Sequence, residues 1–288
     1  MFEQVVFAGG GHRCWWQGGF WDVVAPEIAL RPKLIAGVSA GAATACLIFA
    51  NNSEEALDYY DDALPKNARN VYWRNLMRSG APMFPHHGIY RSALRVLMGG
   101  ENFTRLKLNA PEIRIQFARI PSWLGPRSAV AVGLLAYSIE KYAFRPLHPS
   151  FGLRMGFTQE VARVQDCQSD EDLFDLIIAS SCTPPFTPIQ YRDGRPTLDG
   201  GLVDNVPISA LDTLDVATLV LTTRRYPHHG QIFTRGRCVY VQPSLATPAP
   251  SWDYTSPTLY RETYELGRID GEYFIDSFFR EERRNLRS

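Results

Sequence analysis

Ser39 stands in Gly37-Val38-Ser39-Ala40-Gly41, a G-x-S-x-G pattern. The apolar run Leu34-Ile35-Ala36 precedes it, and the small-residue run from Ala42 to Ile48 follows it. That order predicts a strand, a sharp turn and a helix. A serine at the apex of such a turn projects from the sheet with its hydroxyl exposed. The helix behind it aims N–H groups at the same place, which favours negative charge there. The chemistry is nucleophilic attack, provided that a base takes the serine proton. Gly, Ser and Ala are common residues, so the pattern alone also fits a tight turn with no chemistry.

A second group lies upstream. Val5-Val6-Phe7-Ala8 is an apolar run that ends in Gly9-Gly10-Gly11-His12-Arg13. Successive glycines present closely spaced N–H groups and let an anion approach the backbone. One anion that suits them is a phosphate, but neither G-x-G-x-x-G nor G-x-x-x-x-G-K-[ST] occurs in the chain. The other is the oxyanion of a tetrahedral acyl intermediate, if a neighbouring parallel strand brings the loop beside a nucleophile.

Two kinds of base are available to Ser39. An α/β-hydrolase uses histidine in the chain order Ser, acid, His. His228 and His229, in Tyr226-Pro227-His228-His229-Gly230, are the only histidines beyond Asp199. In that fold, however, several strands normally precede the serine turn, and here one clear strand does. The alternative is Asp199 itself, in Thr197-Leu198-Asp199-Gly200-Gly201. A carboxylate becomes a better base when a partly desolvated pocket raises its pKa.

The elements that must position these residues read as an α/β fold. Val5–Ala8 and Lys33–Ala36 are short buried strands around a helix from Trp15 to Val24, weakened by Gly18 and Gly19. Glu54–Leu64 is amphipathic, Arg91–Met98 is a helix stopped by Gly99-Gly100, and Ile113–Ala118 alternates as a strand. Leu173–Ala179 is a helix that ends before Pro184-Pro185. Ile189–Tyr191, Val216–Thr222 and Val239–Pro243 are strands, and Asp193-Gly194 is a turn. Leu259–Phe279 is a long amphipathic helix, interrupted near Gly267 and Gly271, with a charged tail from Arg280. His86-His87 reads as a solvated turn, with no carboxylate or cysteine at metal-ligand spacing.

Together, Gly9-Gly10-Gly11-His12-Arg13, Gly37-Val38-Ser39-Ala40-Gly41 and Asp199-Gly200-Gly201 resemble the patatin-like phospholipase family. The early serine turn, Val203-Asp204-Asn205-Val206-Pro207 and Ala179-Ser180-Ser181 before the prolines agree with that pattern. The resemblance spans about residues 3–210. It implies a three-layer α/β/α fold with a mostly parallel central sheet, one domain over residues 1–288, and no cofactor or metal. It implies a lipid acyl hydrolase, phospholipase A-like or lysophospholipase-like, acting on a lipid or phospholipid. Ser39 is then the nucleophile, Asp199 the base, and Gly9, Gly10, Gly11, His12 and Arg13 the oxyanion hole, with Gly10 and Gly11 the favoured donors. One position departs from the pattern: Cys14 stands where the family usually has glycine. If that backbone needs a positive φ, the cysteine strains the loop. This departure is also the sequence support for a binding or regulatory protein that keeps the fold without turnover.

Composition sets the remaining expectations. The 288 residues carry 30 Lys plus Arg and 30 Asp plus Glu, so a net charge of zero gives no reason to expect nucleic acid. The five cysteines are widely spaced without a C-x-x-C, as in a cytosolic protein with reduced thiols. The N-terminus lacks the basic and apolar regions of a signal peptide. The apolar run Ala129–Ile139, 11 residues long, falls short of the ~20 that span a bilayer. It reads as a buried core helix, or as a flap that lines an acyl site or rests on a membrane surface, making the protein peripheral to it.

Overall fold

The computed structural model describes residues 2–77, 82–125, 128, 131, 147, 148 and 151–285. The run 129–139 lies outside the described residues apart from Ala131. Strand β1 (Gln4–Phe7) leads through the glycine loop into helix α1 (Trp15–Glu27). Strand β2 (Leu34–Val38) then ends at Ser39, and helix α2 (Ala40–Ala50) follows without a spacer. Helices α3 (Ser53–Ala63), α4 (His86–Met98) and α5 (Glu101–Asn109) precede strand β3 (Glu112–Arg119). Strand β4 (Thr158–Arg163), helix α6 (Asp170–Ser180) and the hairpin of β5 (Gln190–Arg192) and β6 (Arg195–Asp199) come next. Strands β7 (Thr218–Leu221), β8 (Ile232–Arg235) and β9 (Cys238–Val241) complete the sheet, and helix α7 (Pro257–Asn285) closes the chain.

Among the described residues, nine strands run in the order β5-β6-β3-β2-β1-β7-β9-β8, with β4 also on β3. The central strands β3, β2, β1, β7 and β9 are parallel, and the flanking pairs are antiparallel. The central strands are short apolar runs because both of their faces are covered. Val5, Phe7, Ile35, Ile113 and Leu219 point into the main core with α1, α2, α4 and α6. Val6, Ala36 and Val220 point the other way, onto Val206 and Ala210 in a layer of short helical turns. The result is the expected α/β/α arrangement, with one thick helical layer and one thin one.

Sequence pattern did not reveal β4 and β8. β4 is mostly polar and half-exposed at an edge, and β8 is four residues long and partly exposed, so neither carries an apolar period. The two glycine-rich helices differ from expectation in a different way. α1 and α7 are both continuous, and α7 runs through Gly267 and Gly271 without a break. The glycines are where the two helices touch. A Cβ on Gly19 would lie 2.0 Å from the Tyr264 carbonyl oxygen, and one on Gly267 would lie 2.1 Å from the Trp16 carbonyl oxygen. Backbone meets backbone there, and the crossing leaves no room for a side chain. Asp270 of α7 fixes it by accepting hydrogen bonds from Trp16 Nε1 (2.7 Å), Gln231 Nε2 (2.9 Å) and Ser244 N–H (3.0 Å).

Gly267→Ala is therefore expected to destabilise the protein by about 1–3 kcal/mol. Thermal unfolding should register a drop of several degrees, at about 2–4 °C per kcal/mol. Gly88→Ala, inside α4 with nothing within 4 Å of its new methyl, should instead gain roughly 0.5–1 kcal/mol. Equal melting temperatures for the two variants would contradict the close crossing.

Candidate active site

β2 delivers Ser39 into a strained turn. Its backbone is at φ 54°, ψ −135°, a conformation that an L-residue adopts only when its surroundings force it. The surroundings are specific. Ser39 N–H donates to Ser180 Oγ (2.8 Å), and that hydroxyl donates to the Gln116 carbonyl (2.6 Å). Gly41 permits the close seat of α2: a Cβ there would meet the Ala8 carbonyl oxygen at 2.4 Å.

Ser39 Oγ donates to Asp199 Oδ2 at 2.6 Å. The other carboxylate oxygen, Oδ1, accepts the Gly201 N–H at 2.7 Å, and Thr183 Oγ1 lies 3.3 Å from Oδ2. Burial pushes the Asp199 carboxyl up to about 6. The hydrogen bonds from Ser39, Gly201 and Thr183 and the charge of Arg224 oppose that rise without cancelling it. Asp199 is thus ionised near neutrality, yet far more basic than a solvated carboxylate.

The glycine loop lies against the serine, since a Cβ on Gly9 would be 3.3 Å from Ser39 Cβ. Its five residues play different parts. Gly9 N–H donates to the Asn205 carbonyl (3.0 Å), and Gly9 O accepts from Asn205 Nδ2 (3.0 Å) and Thr223 Oγ1 (2.6 Å). His12 N–H donates to the Ser251 carbonyl at 3.3 Å. Arg13 Nε donates to Gly10 O at 3.0 Å and braces the loop. Among the described residues, the N–H groups of Gly10 and Gly11 meet no acceptor. Gly11 holds φ 59° and passes so close to Ser251 that a Cβ would be 2.2 Å from its carbonyl oxygen. Gly9 and His12 are therefore unavailable as donors in this arrangement, because their N–H groups already hold the loop in place. Cys14 sits at φ −67°, ψ −13°, so the residue that departs from the family pattern carries no positive-φ strain.

Neither His228 nor His229 is a hydrogen-bond partner of Ser39. His229 stacks on Phe233 with ring centroids 4.3 Å apart, and its Nε2 lies 3.1 Å from Arg235 Nη2 on the β8–β9 hairpin. His86, expected in a solvated turn, is instead 1% exposed in the first turn of α4, with Nε2 3.1 Å from the Trp252 carbonyl oxygen. It lines a largely apolar pocket that also contains Ser39, His12 and residues of α2 and α4. Burial holds His12 down at about 3 and lowers His86 as well, so His12 stays neutral near pH 7. Sequence reading missed the supporting side chains Thr183, Asn205 and Thr223. Asn205 stood within a motif already noted, whereas Thr223, at the end of a buried strand, gave no signal.

The patatin-like phospholipase family model matches residues 5–212, which contain the glycine loop, the serine turn and Asp199. The chain belongs to the patatin-like phospholipase family. Among solved structures, VipD from Legionella pneumophila is similar at a TM-score of 0.46 and 12% identity, over 96% of this chain and 67% of that one. No curated protein matches the chain. Among the described residues, no helix of this patatin-like chain is long and apolar enough to cross a membrane.

The strain at Ser39 has a measurable consequence. Ser39→Ala keeps the unfavourable φ, whereas Ser39→Gly relieves it. The glycine variant is expected to be the more stable of the two by about 1–3 kcal/mol in chemical denaturation. The reverse order would contradict the strained turn.

Proposed function

We propose that this patatin-like chain is a serine acyl hydrolase that cleaves the carboxylic ester of a lipid through a Ser39–Asp199 dyad. The observation that carries the reading is the 2.6 Å hydrogen bond from Ser39 Oγ to a buried carboxylate of raised pKa. Asp199 Oδ2 takes the proton as Ser39 Oγ forms its bond to the ester carbonyl carbon. The carbonyl oxygen becomes an oxyanion, and the N–H groups of Gly10 and Gly11 are the donors best placed to receive it. The tetrahedral intermediate collapses, the C–O bond to the alcohol breaks, and Asp199 returns its proton to the departing alkoxide. Water then attacks the acyl-serine with Asp199 as base again, and the carboxylic acid leaves with Ser39 restored. The raised pKa serves both halves of the cycle, since a group that takes a proton and gives it back works best with a pKa near the operating pH.

Two variants and a control test this on a soluble p-nitrophenyl ester. Ser39→Ala is expected to abolish turnover, and Asp199→Asn to lower kcat by orders of magnitude. The double variant His228→Ala, His229→Ala is expected to retain most activity. A wild-type rate from Ser39→Ala would end the reading, and loss in the histidine variant alone would transfer the role of base.

The pH profile is a separate check. Asp199 accepts a proton only as the carboxylate. As pH falls through about 6 the carboxyl becomes protonated, so kcat/KM should rise with pH to a midpoint near 6 and level off above it. A midpoint near the unperturbed 3.8 would mean that the carboxylate is solvated in the working enzyme.

A further inference from the structure

We infer that the pocket beside Ser39 takes a single acyl chain of medium length between α2 and α4, and that Ala43, Leu97 and Met98 set this length. This rests on the reading of Ser39 as the nucleophile. Because α2 starts directly after that residue, the helix acts as a ruler. Ala43 and Leu47 line the pocket on the same face of α2 as Ala40, which follows the serine. At 1.5 Å per residue they lie about 6 and 12 Å beyond Ser39 along the axis. Leu94, Leu97 and Met98 line the pocket from α4, at spacings that share one helical face.

The burial pattern describes a cleft that is more open around Ala40, Ala43 and Thr44, beside the buried Ser39, and closed beyond them. Ala43 and Thr44 are half-buried, while Leu47, Leu94, Leu97 and Met98 are buried. Alanines at the near end leave space, and long side chains fill the far end. The Thr44 hydroxyl is bonded to the Ala40 carbonyl at 3.1 Å, so it makes no demand on a ligand. Among the described residues, no Lys, Arg, Asp or Glu lines the pocket, so a phosphate or a second charged group buried there would lack a counter-charge from them. A chain that follows α2 from Ser39 to Leu47 spans about 12 Å, roughly the length of ten extended carbons. The acyl group that fits is therefore one uncharged chain near that length.

Rates on p-nitrophenyl butyrate, decanoate and palmitate test the inference. Wild-type kcat/KM should be at least ten-fold higher on decanoate than on palmitate. Ala43→Leu narrows the cleft one turn from Ser39 and should lower the decanoate-to-butyrate ratio at least ten-fold. The pair Leu97→Ala, Met98→Ala deepens it and should raise the palmitate-to-decanoate ratio at least ten-fold. Unchanged ratios in variants that melt cooperatively would overturn the proposal, and if Ala43→Leu does not fold, the deepened variant decides. Binding of 1-decanol and 1-butanol to Ser39→Ala, read by tryptophan fluorescence, separates the two readings. Preference for decanol in a protein whose wild type cleaves no ester would leave the cleft standing and remove the dyad. Ester cleavage without any chain preference would do the opposite.

Discussion

The structure depends on one strand having two partners along the same edge. β3 pairs in parallel with β2 up to Val38, which lies opposite Gln116. One residue further, Phe117 lies opposite Asp199, and β6 has replaced β2. β2 must end there because the chain reverses into α2, and β6 must end there because Gly200 begins the next turn. Two chain ends that are 160 residues apart in sequence are thereby set side by side by consecutive residues of one ladder. The Ser39–Asp199 hydrogen bond follows from this register. A slip of one residue on β3 would turn both side chains to the opposite face.

Loops at the ends of a parallel sheet carry carbonyls and N–H groups that the ladder no longer serves, and buried ones need partners. Here polar side chains supply them. Gln17 Nε2 donates to the Ala8 and Leu221 carbonyls at 3.0 and 2.9 Å, closing the ends of β1 and β7. Gln116 Nε2 donates to the Gly200 and Asp204 carbonyls at 3.0 and 2.7 Å, fixing the loop behind Asp199. Asn205 grips Gly9 from both sides of its peptide unit. The loop behind Asp199 and the glycine loop are thus held by buried side-chain amides, and Ser39 by the buried Ser180 hydroxyl. Such support lets Ser39 keep an unfavourable backbone angle.

The parts of this arrangement that are local in the chain were legible in the sequence. The serine turn, the glycine loop and Asp199 each combine small residues with a short apolar strand, and a close backbone approach demands that combination. The central strands were legible for a related reason, since burial on both faces leaves a continuous apolar run. What was not legible is what depends on distant partners. Gly18, Gly19, Gly267 and Gly271 look like helix breakers until α1 and α7 are seen to cross there. His86 looks like a solvated residue until Trp252 and Phe186 are packed over it; its ring centroid is 5.2 Å from that of Phe186. The cleft between α2 and α4 gave no signal, because its lining side chains read as ordinary core positions of two helices.

Cys14 illustrates how a departure from a family pattern is absorbed. A glycine in this place would leave α1 to start without a side chain over the end of β1. The cysteine adopts ordinary helical angles, so the change costs no backbone strain. Its thiol lies 3.6 Å from the Ala8 carbonyl oxygen, the same atom that accepts from Gln17 and that Gly41 approaches most closely. Burial raises the thiol pKa far above neutrality, so the group stays protonated and can act as the donor. β1, α1 and α2 meet at this one carbonyl. The cysteine adds a weak hold at the point where the glycine loop and α2 already converge, and that geometry leaves the Ser39–Asp199 hydrogen bond intact.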